Sequence, residues 1–158
     1  MISVPGYSAI RSVSQTPEAL IYKARRVEDG KLVTMLQLRP EVASPDEVAK
    51  FHREFDFLHA LDSKFVVRVY ELIEQSGIPI LITEFPNADN LSLTLAKGKL
   101  PLLASLYLTR DLADALDHLH AHDMIHKNLN PDAILFNSET RTVKLVDFSI
   151  ASFKHASK

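Results

Sequence analysis

The densest run of side chains able to do chemistry lies between His126 and Ser149. His126-Lys127-Asn128-Leu129-Asn130-Pro131-Asp132-Ala133-Ile134-Leu135 reads as a short strand, a loop rich in turn residues, and a second strand. Val143-Lys144-Leu145-Val146 reads as a third strand that ends on an acid, Asp147, followed by Phe148-Ser149. An amide such as that of Asn128 can orient a hydroxyl, but it cannot serve as a carboxylate base. Just upstream, His118, His122 and His126 recur every four residues, with His120 between them. At i, i+4 two imidazoles share one helix face, the arrangement a zinc ion uses. The helix that carries them is expected to stop near His122-Asp123, which takes His126 off that face. No H-E-x-x-H glutamate is present, and a cationic histidine at a helix end is the simpler account of His122. The chain has no cysteine, so thiolate ligands, a cysteine nucleophile and disulfides are excluded.

These residues need a scaffold. The chain has 158 residues, 46% hydrophobic and 24% charged, about one domain's worth of ordinary globular composition. Residues 7–13 predict a strand. Residues 19–27 and 32–38 predict two more, flanking Asp29-Gly30, whose pairing predicts a tight hairpin with positive φ at both central residues. Ser44-Pro45-Asp46-Glu47 is a compact helix start, with a capping serine, a proline at the first helical position and a glutamate completing the capping box. That helix should run to about Leu61, with Val48, Phe51, Phe55, Leu58 and Leu61 forming one apolar stripe. Residues 65–75 and 78–85 predict two strands around Ser76-Gly77.

From Pro86 the pattern changes. Residues 86–90 predict a hinge or linker, residues 91–96 a short helix, and residues 102–122 a long amphipathic helix with Leu106, Leu112, Leu116 and Leu119 among its apolar positions. Short strands are expected at residues 124–126, 134–136 and 143–145, with a turn at residues 137–140. The expected fold is therefore α+β. Residues 1–85 form an antiparallel sheet with one helix packed on it, and residues 91–158 begin a helical second lobe.

A net charge of −2 gives no broad electrostatic reason to bind nucleic acid or an anionic membrane. The opening Met1-Ile2-Ser3-Val4-Pro5-Gly6 lacks the basic head and apolar run of a signal peptide. Charges interrupt every apolar segment before it reaches membrane-spanning length. The expectation is a cytoplasmic module with no nucleic-acid and no membrane partner.

The order of these elements and the wording of the His126–Asp147 stretch resemble the protein-kinase family, over roughly residues 7–152. More narrowly, Ile125-His126-Lys127, Leu129-Asn130-Pro131 and Ile134-Leu135-Phe136 resemble the N-terminal serine/threonine kinase-like domain of large bacterial multidomain signalling proteins that carry histidine-kinase modules further on. The resemblance implies a kinase-like N-lobe, then the first part of a helical C-lobe ending just after the metal-binding segment. Phosphoryl transfer needs a backbone cover over the phosphates, a lysine–glutamate pair, a base and metal ligands. By this resemblance Ser14-Gln15-Thr16-Pro17-Glu18-Ala19 stands where a glycine-rich cover would be. Leu36 stands at the lysine position, with Gln37 next to it. Thr34 stands where a small residue lies under the adenine ring, and Glu54 stands at the helix glutamate. Thr83-Glu84-Phe85 matches the gatekeeper and hinge, whose backbone groups could receive a purine. Asn128 stands at the catalytic aspartate, Ala133 at a metal-binding asparagine and Ser149 at a glycine. Asp147 matches the aspartate that binds magnesium, and His126 matches a histidine that packs under Phe148.

The leading expectation is a catalytically impaired, pseudokinase-type signalling module that binds a partner or a nucleotide. Leu36, Asn128 and Ala133 each remove a contribution to transition-state stabilisation. One alternative is an active or weakly active serine/threonine kinase using ATP and magnesium through Asp147. A second is a non-functional truncated remnant, and a third, carried by the histidines alone, is a zinc-dependent hydrolase. The family's activation segment and lower helices would lie in the remainder of a longer signalling chain, or a protein partner would cover the apolar face of the long helix.

Overall fold

The computed structural model describes residues 4–153. Residues 1–3 of the opening segment, and the end of the second lobe from residue 154 onward, lie outside them. The described residues fall into two compact units, one of residues 4–60 and 68–85, the other of residues 61–67 and 86–153.

The first unit is a five-stranded antiparallel sheet in the order β1-β2-β3-β5-β4 with one helix. Its strands are β1 (Tyr7–Gln15), β2 (Ala19–Arg26), β3 (Leu32–Leu38), β4 (Val69–Gln75) and β5 (Ile78–Glu84), and its helix is α1 (Pro45–Ala60). The start of α1 forms as its sequence dictates: the Ser44 hydroxyl accepts the Glu47 N–H at 3.3 Å. Phe51 and Leu58 are its buried residues, and the helix packs on β3, β4 and β5. Directly paired residues share a face of the sheet. Ala24, Val33, Met35, Ile80 and Ile82 fill one face together with Val4, bordered by Tyr7, Tyr22, Tyr70 and Ile73. The opposite face carries Ile21, Leu36 and Leu81 in one row and Lys23, Thr34 and Thr83 in the next.

Two turn expectations part ways. Ser76 (φ 54) and Gly77 (φ 77) both take positive φ and close β4 onto β5 in two residues. At the other hairpin only Gly30 (φ 70) does so. The Gly30 N–H reaches Arg26 O at 2.9 Å and the Arg26 N–H reaches Lys31 O at 2.8 Å. The tight Asp29-Gly30 turn is thus replaced by a longer loop. Asp29 instead accepts the Lys31 N–H at 3.1 Å, which holds its carboxyl below the usual range, with Arg26 and Lys31 adding charge.

The second unit contains β6 (Asp89–Asn90), α2 (Leu91–Ala96), α3 (Leu102–Ala121), β7 (Met124–Ile125), β8 (Ile134–Asn137), β9 (Thr142–Leu145) and β10 (Ser152–Phe153). It forms a three-stranded sheet, β6-β8-β9, and a β7-β10 pair. The expected strand over residues 65–75 is split. Only Val69 onward joins the first sheet, whereas Leu145 donates to Phe65 O at 2.7 Å and Val67 donates to Leu145 O at 3.3 Å. Leu108, Asp111, Ala115 and Leu119 are the buried positions of α3, which packs along β7 and β9. The expected stripe is therefore corrected. Leu119 is buried and Leu112 and Leu116 are half-buried, while the apolar surface in water is Leu102 (77% exposed), Leu103 (58%) and Leu106 (57%) at the start of the helix. Asp123, at φ 58, takes the left-handed position that ends α3, with its N–H on His120 O at 3.1 Å. No helix among the described residues is long and apolar enough to cross a membrane.

Candidate functional site

Each unit holds one group of the residues singled out from the sequence. In the first unit, Leu36 sits opposite Ile21 and Leu81, so the row offers hydrocarbon and no charge. Gln37 pairs with Ile80 on the other face, so it does not stand in for Leu36. Thr34 and Thr83 are direct cross-strand partners. Their hydroxyls both donate to the Glu84 carbonyl, at 3.3 Å and 3.1 Å. A carbonyl has two lone pairs, and both are now engaged. The Glu84 N–H donates to Arg68 O at 2.9 Å, and the Glu84 carboxylate accepts the Arg68 N–H at 2.9 Å. Glu54 is half-buried in α1.

The segment between β1 and β2 is a three-residue turn closed on itself. The Thr16 N–H reaches Ala19 O at 2.8 Å, and the Ala19 N–H reaches Thr16 Oγ1 at 2.9 Å. Pro17 has no N–H to offer. Lys23 is a cation that the strand alternation around Ile21 could have exposed. Its ammonium lies 4.2 Å from the centre of the Phe85 ring. Phe85 continues β5 past Thr83, away from Leu81 and Leu36, so Lys23 reaches away from the Leu36 row.

In the second unit, the loop after β7 and the end of β9 come together. His126 is 2% exposed. Its Nε2 donates to Val146 O at 3.0 Å, and its Nδ1 accepts the Asn128 N–H at 3.2 Å. These partners fix the neutral Nε2–H tautomer. Burial pushes the imidazole below its ordinary value, against the Val146 carbonyl and Asp147, which favour the cation. The His126 ring packs on Phe148 with centroids 4.6 Å apart. It therefore stands apart from the histidine pair of α3, where His118 and His122 are tilted at 4.6 Å and His122 Nδ1 meets His118 O at 2.8 Å. No group of three or more metal-ligating side chains occurs among the described residues.

Asn128 and Asp147 are in direct contact. Asn128 Nδ2 donates to Asp147 Oδ2 at 2.6 Å, and Ser149 Oγ donates to Asp147 Oδ1 at 2.7 Å. Asp147 takes φ 62 and Lys127 φ 63, a strained region that this bonding has to offset. Behind Asn128 stands Asn130, a residue the sequence reading did not single out. Its Oδ1 accepts the Asp132 and Ala133 N–H groups at 2.9 Å and 3.2 Å, capping a 3-10 turn over Pro131–Ala133. Its Nδ2 donates to Asn128 O at 2.9 Å and to Asn128 Oδ1 at 3.1 Å. The Asn-Pro step was a readable cap signal; the second half of its bonding was not. Ala133 is buried, and its carbonyl accepts the Val146 N–H at 3.0 Å.

A curled antiparallel sheet with one helix, followed in the chain by a unit whose two helices precede this loop, is the α+β architecture of the N-lobe and the first part of the C-lobe of a protein-kinase fold. Residues 8–158 match the family described as protein kinase domain, and the chain belongs to that family. It is similar to the serine/threonine-protein kinase greatwall of Xenopus tropicalis, 28% identical over 151 residues, covering 94% of this chain and 17% of that protein. It is also similar to the serine/threonine-protein kinase pkn2 of Myxococcus xanthus, 28% identical over 134 residues, with 83% of this chain and 16% of that protein covered. The carbon catabolite-derepressing protein kinase of Candida tropicalis is 22% identical over 147 residues, covering 92% of this chain and 24% of that protein. The chain thus spans a quarter or less of the length of these relatives.

Proposed function

We propose that this chain is a catalytically impaired, pseudokinase-type signalling module that acts by binding a protein partner and does not transfer phosphate. The observation that carries this reading is the Asn128–Asp147 contact. Where the resemblance calls for a carboxylate base beside a metal-binding carboxylate, an amide N–H donates to that carboxylate. An amide takes no proton from a substrate hydroxyl, and loss of a general base costs about 10²–10⁴-fold in rate.

Three further features support the reading. The Leu36 row offers hydrocarbon where the family's lysine would meet phosphate. The Glu84 carbonyl, the acceptor a purine amino group would seek at a hinge, already holds two hydroxyl donors. The donor set at Asp147 is poor for the magnesium that the family's chemistry needs: one carboxylate, with one lone-pair site on each oxygen taken by Asn128 and Ser149. Magnesium takes oxygen lone pairs in near-octahedral array, whereas Asn128 and Ser149 present hydrogens and Ala133 presents a methyl group. Such losses are not additive, but each removes a different contribution.

The partner we propose is protein, either another chain or the remainder of a large bacterial signalling protein in the cytoplasm. The exposed leucines at the start of α3 supply apolar area for such a contact. An active serine/threonine kinase is the second reading, favoured by the relatives that are serine/threonine-protein kinases and by the presence of Asp147. Thermal melting with ATP and magnesium separates the two. A nucleotide at one hundred times its Kd stabilises by about 2.7 kcal/mol, about 5–10 °C for a chain of this size. The expected result is no shift at millimolar ATP and magnesium; a shift of that size shows that nucleotide binds and favours the second reading.

A further inference from the structure

We infer that Asn128 makes Asp147 the terminus of a hydrogen-bond chain anchored on Asn130, so that the loop after β7 and the segment after β9 are latched together without a metal. This deepens the reading of an impaired module and rests on it.

The direction of every bond in the chain is set by its anchor. Two backbone N–H groups, of Asp132 and Ala133, can only donate, so the Asn130 atom they meet is its carbonyl oxygen. That places the Asn130 amide nitrogen against Asn128, where it donates to both Asn128 O and Oδ1. Asn128 Oδ1 is therefore an acceptor turned toward Asn130, and Asn128 Nδ2 is left facing Asp147 Oδ2 at 2.6 Å. Neither amide can be flipped without setting oxygen against oxygen or N–H against N–H. Ser149 closes the other carboxylate oxygen at 2.7 Å.

The consequence is a change of role at one position. With an asparagine at 128 the carboxylate of Asp147 is satisfied by donors from this chain. With an aspartate there, two carboxylates would face each other across the same gap, and like charges so close disfavour joint ionisation. A divalent cation between them would relieve that repulsion. The amide at position 128 thus gives this junction a hydrogen bond that needs no metal, where a carboxylate would give it a repulsion.

The test is the melting temperature of the wild-type chain, Asn128→Asp, Asp147→Asn and Asn128→Asp/Asp147→Asn in EDTA and in millimolar magnesium. The wild type is expected to melt at the same temperature in both. Asn128→Asp is expected to melt about 3–6 °C lower in EDTA and to regain much of that loss in magnesium. The double variant is expected to show no response to magnesium. A wild-type rise in magnesium that Asp147→Asn abolishes would overturn the latch, and so would an Asn128→Asp protein as stable as wild type in EDTA. Should Asn128→Asp fail to fold, wild-type NMR decides alone. Equimolar manganese is expected to leave the Asp147 and Asn128 signals sharp, and selective broadening there overturns the proposal. None of these readouts involves phosphate transfer, so failure of the latch and failure of the impaired-module reading are told apart.

Discussion

Replacing Asn130 by aspartate should destabilise this protein strongly, although at an ordinary helix N-cap the two residues are nearly interchangeable. Aspartate keeps the two bonds that Oδ1 accepts from Asp132 and Ala133. It loses the two bonds that Nδ2 donates to Asn128, and a charged oxygen then sits about 3 Å from two acceptor oxygens. Two lost hydrogen bonds contribute about 1–3 kcal/mol, and the new repulsion raises the total to about 2–4 kcal/mol. Asn130→Ala loses all four bonds without the repulsion and should cost a similar amount. Urea denaturation at pH 7 reads both values. Far-ultraviolet circular dichroism is the suitable signal, because the chain has no tryptophan. Aspartate is expected to be no better than alanine. If Asn130→Asp stays within about 0.5 kcal/mol of wild type while Asn130→Ala costs about 1–2 kcal/mol, Asn130 is an ordinary cap. The chain of bonds from it to Asp147 would then be wrong.

The buried neutral His126 gives a pH signature. Its folded pKa lies below the ordinary value of about 6.5, so the unfolded chain takes up a proton first as pH falls. Its contribution to stability is complete above that value and is lost as pH drops from there toward the folded pKa. Urea midpoints from pH 7.5 to 5.5 should therefore fall less steeply in His126→Gln than in wild type; parallel slopes would contradict the assignment. Phe148 is 1% exposed against the His126 ring, so Phe148→Ala should cost about 3–5 kcal/mol in the same assay. Leu103→Ala, at an exposed position, should change stability by less than about 0.5 kcal/mol. Burial and the hydrogen bond to Glu71 push Tyr7 up to about 12. Absorbance at 295 nm should show an ionisation near that pH that Tyr7→Phe removes, and stability should decline as pH rises between the ordinary and the raised value.

Much of the scaffold could be read from local chemistry. Ser44-Pro45 sets the start of α1, Ser76-Gly77 sets a two-residue turn, and the leucine period sets α3. Three other expectations differ from the structure, one of them for a non-local reason. Residues 65–67 have strand composition, but their partner is Leu145, some 80 positions on, and no local pattern names it. The α3 stripe was read by hydrophobicity alone, whereas the buried face includes Asp111 beside Ala115 and leaves Leu106 in water. Asp29-Gly30 has the composition of a tight turn, but the loop spans more residues than that turn allows. At the loop after β7, Asn128, Ala133 and Asp147 were identifiable by position. That Asn128 donates to Asp147 follows only from how Asn130 is anchored, which composition does not reveal. The double use of the Glu84 carbonyl was equally hidden, because it depends on Thr34 and Thr83 being placed opposite each other across β3 and β5.

Whether Asp147 serves a reaction is decided by transfer of radiolabelled γ-phosphate from ATP, with magnesium, to the chain itself and to an added protein substrate. Wild type and Asp147→Ala should be measured side by side. If Asp147 serves the junction and not the reaction, both proteins give only the background of a no-protein control, while Asp147→Ala melts at a lower temperature than wild type. Phosphate transfer by wild type above that background, abolished by Asp147→Ala, would contradict that assignment.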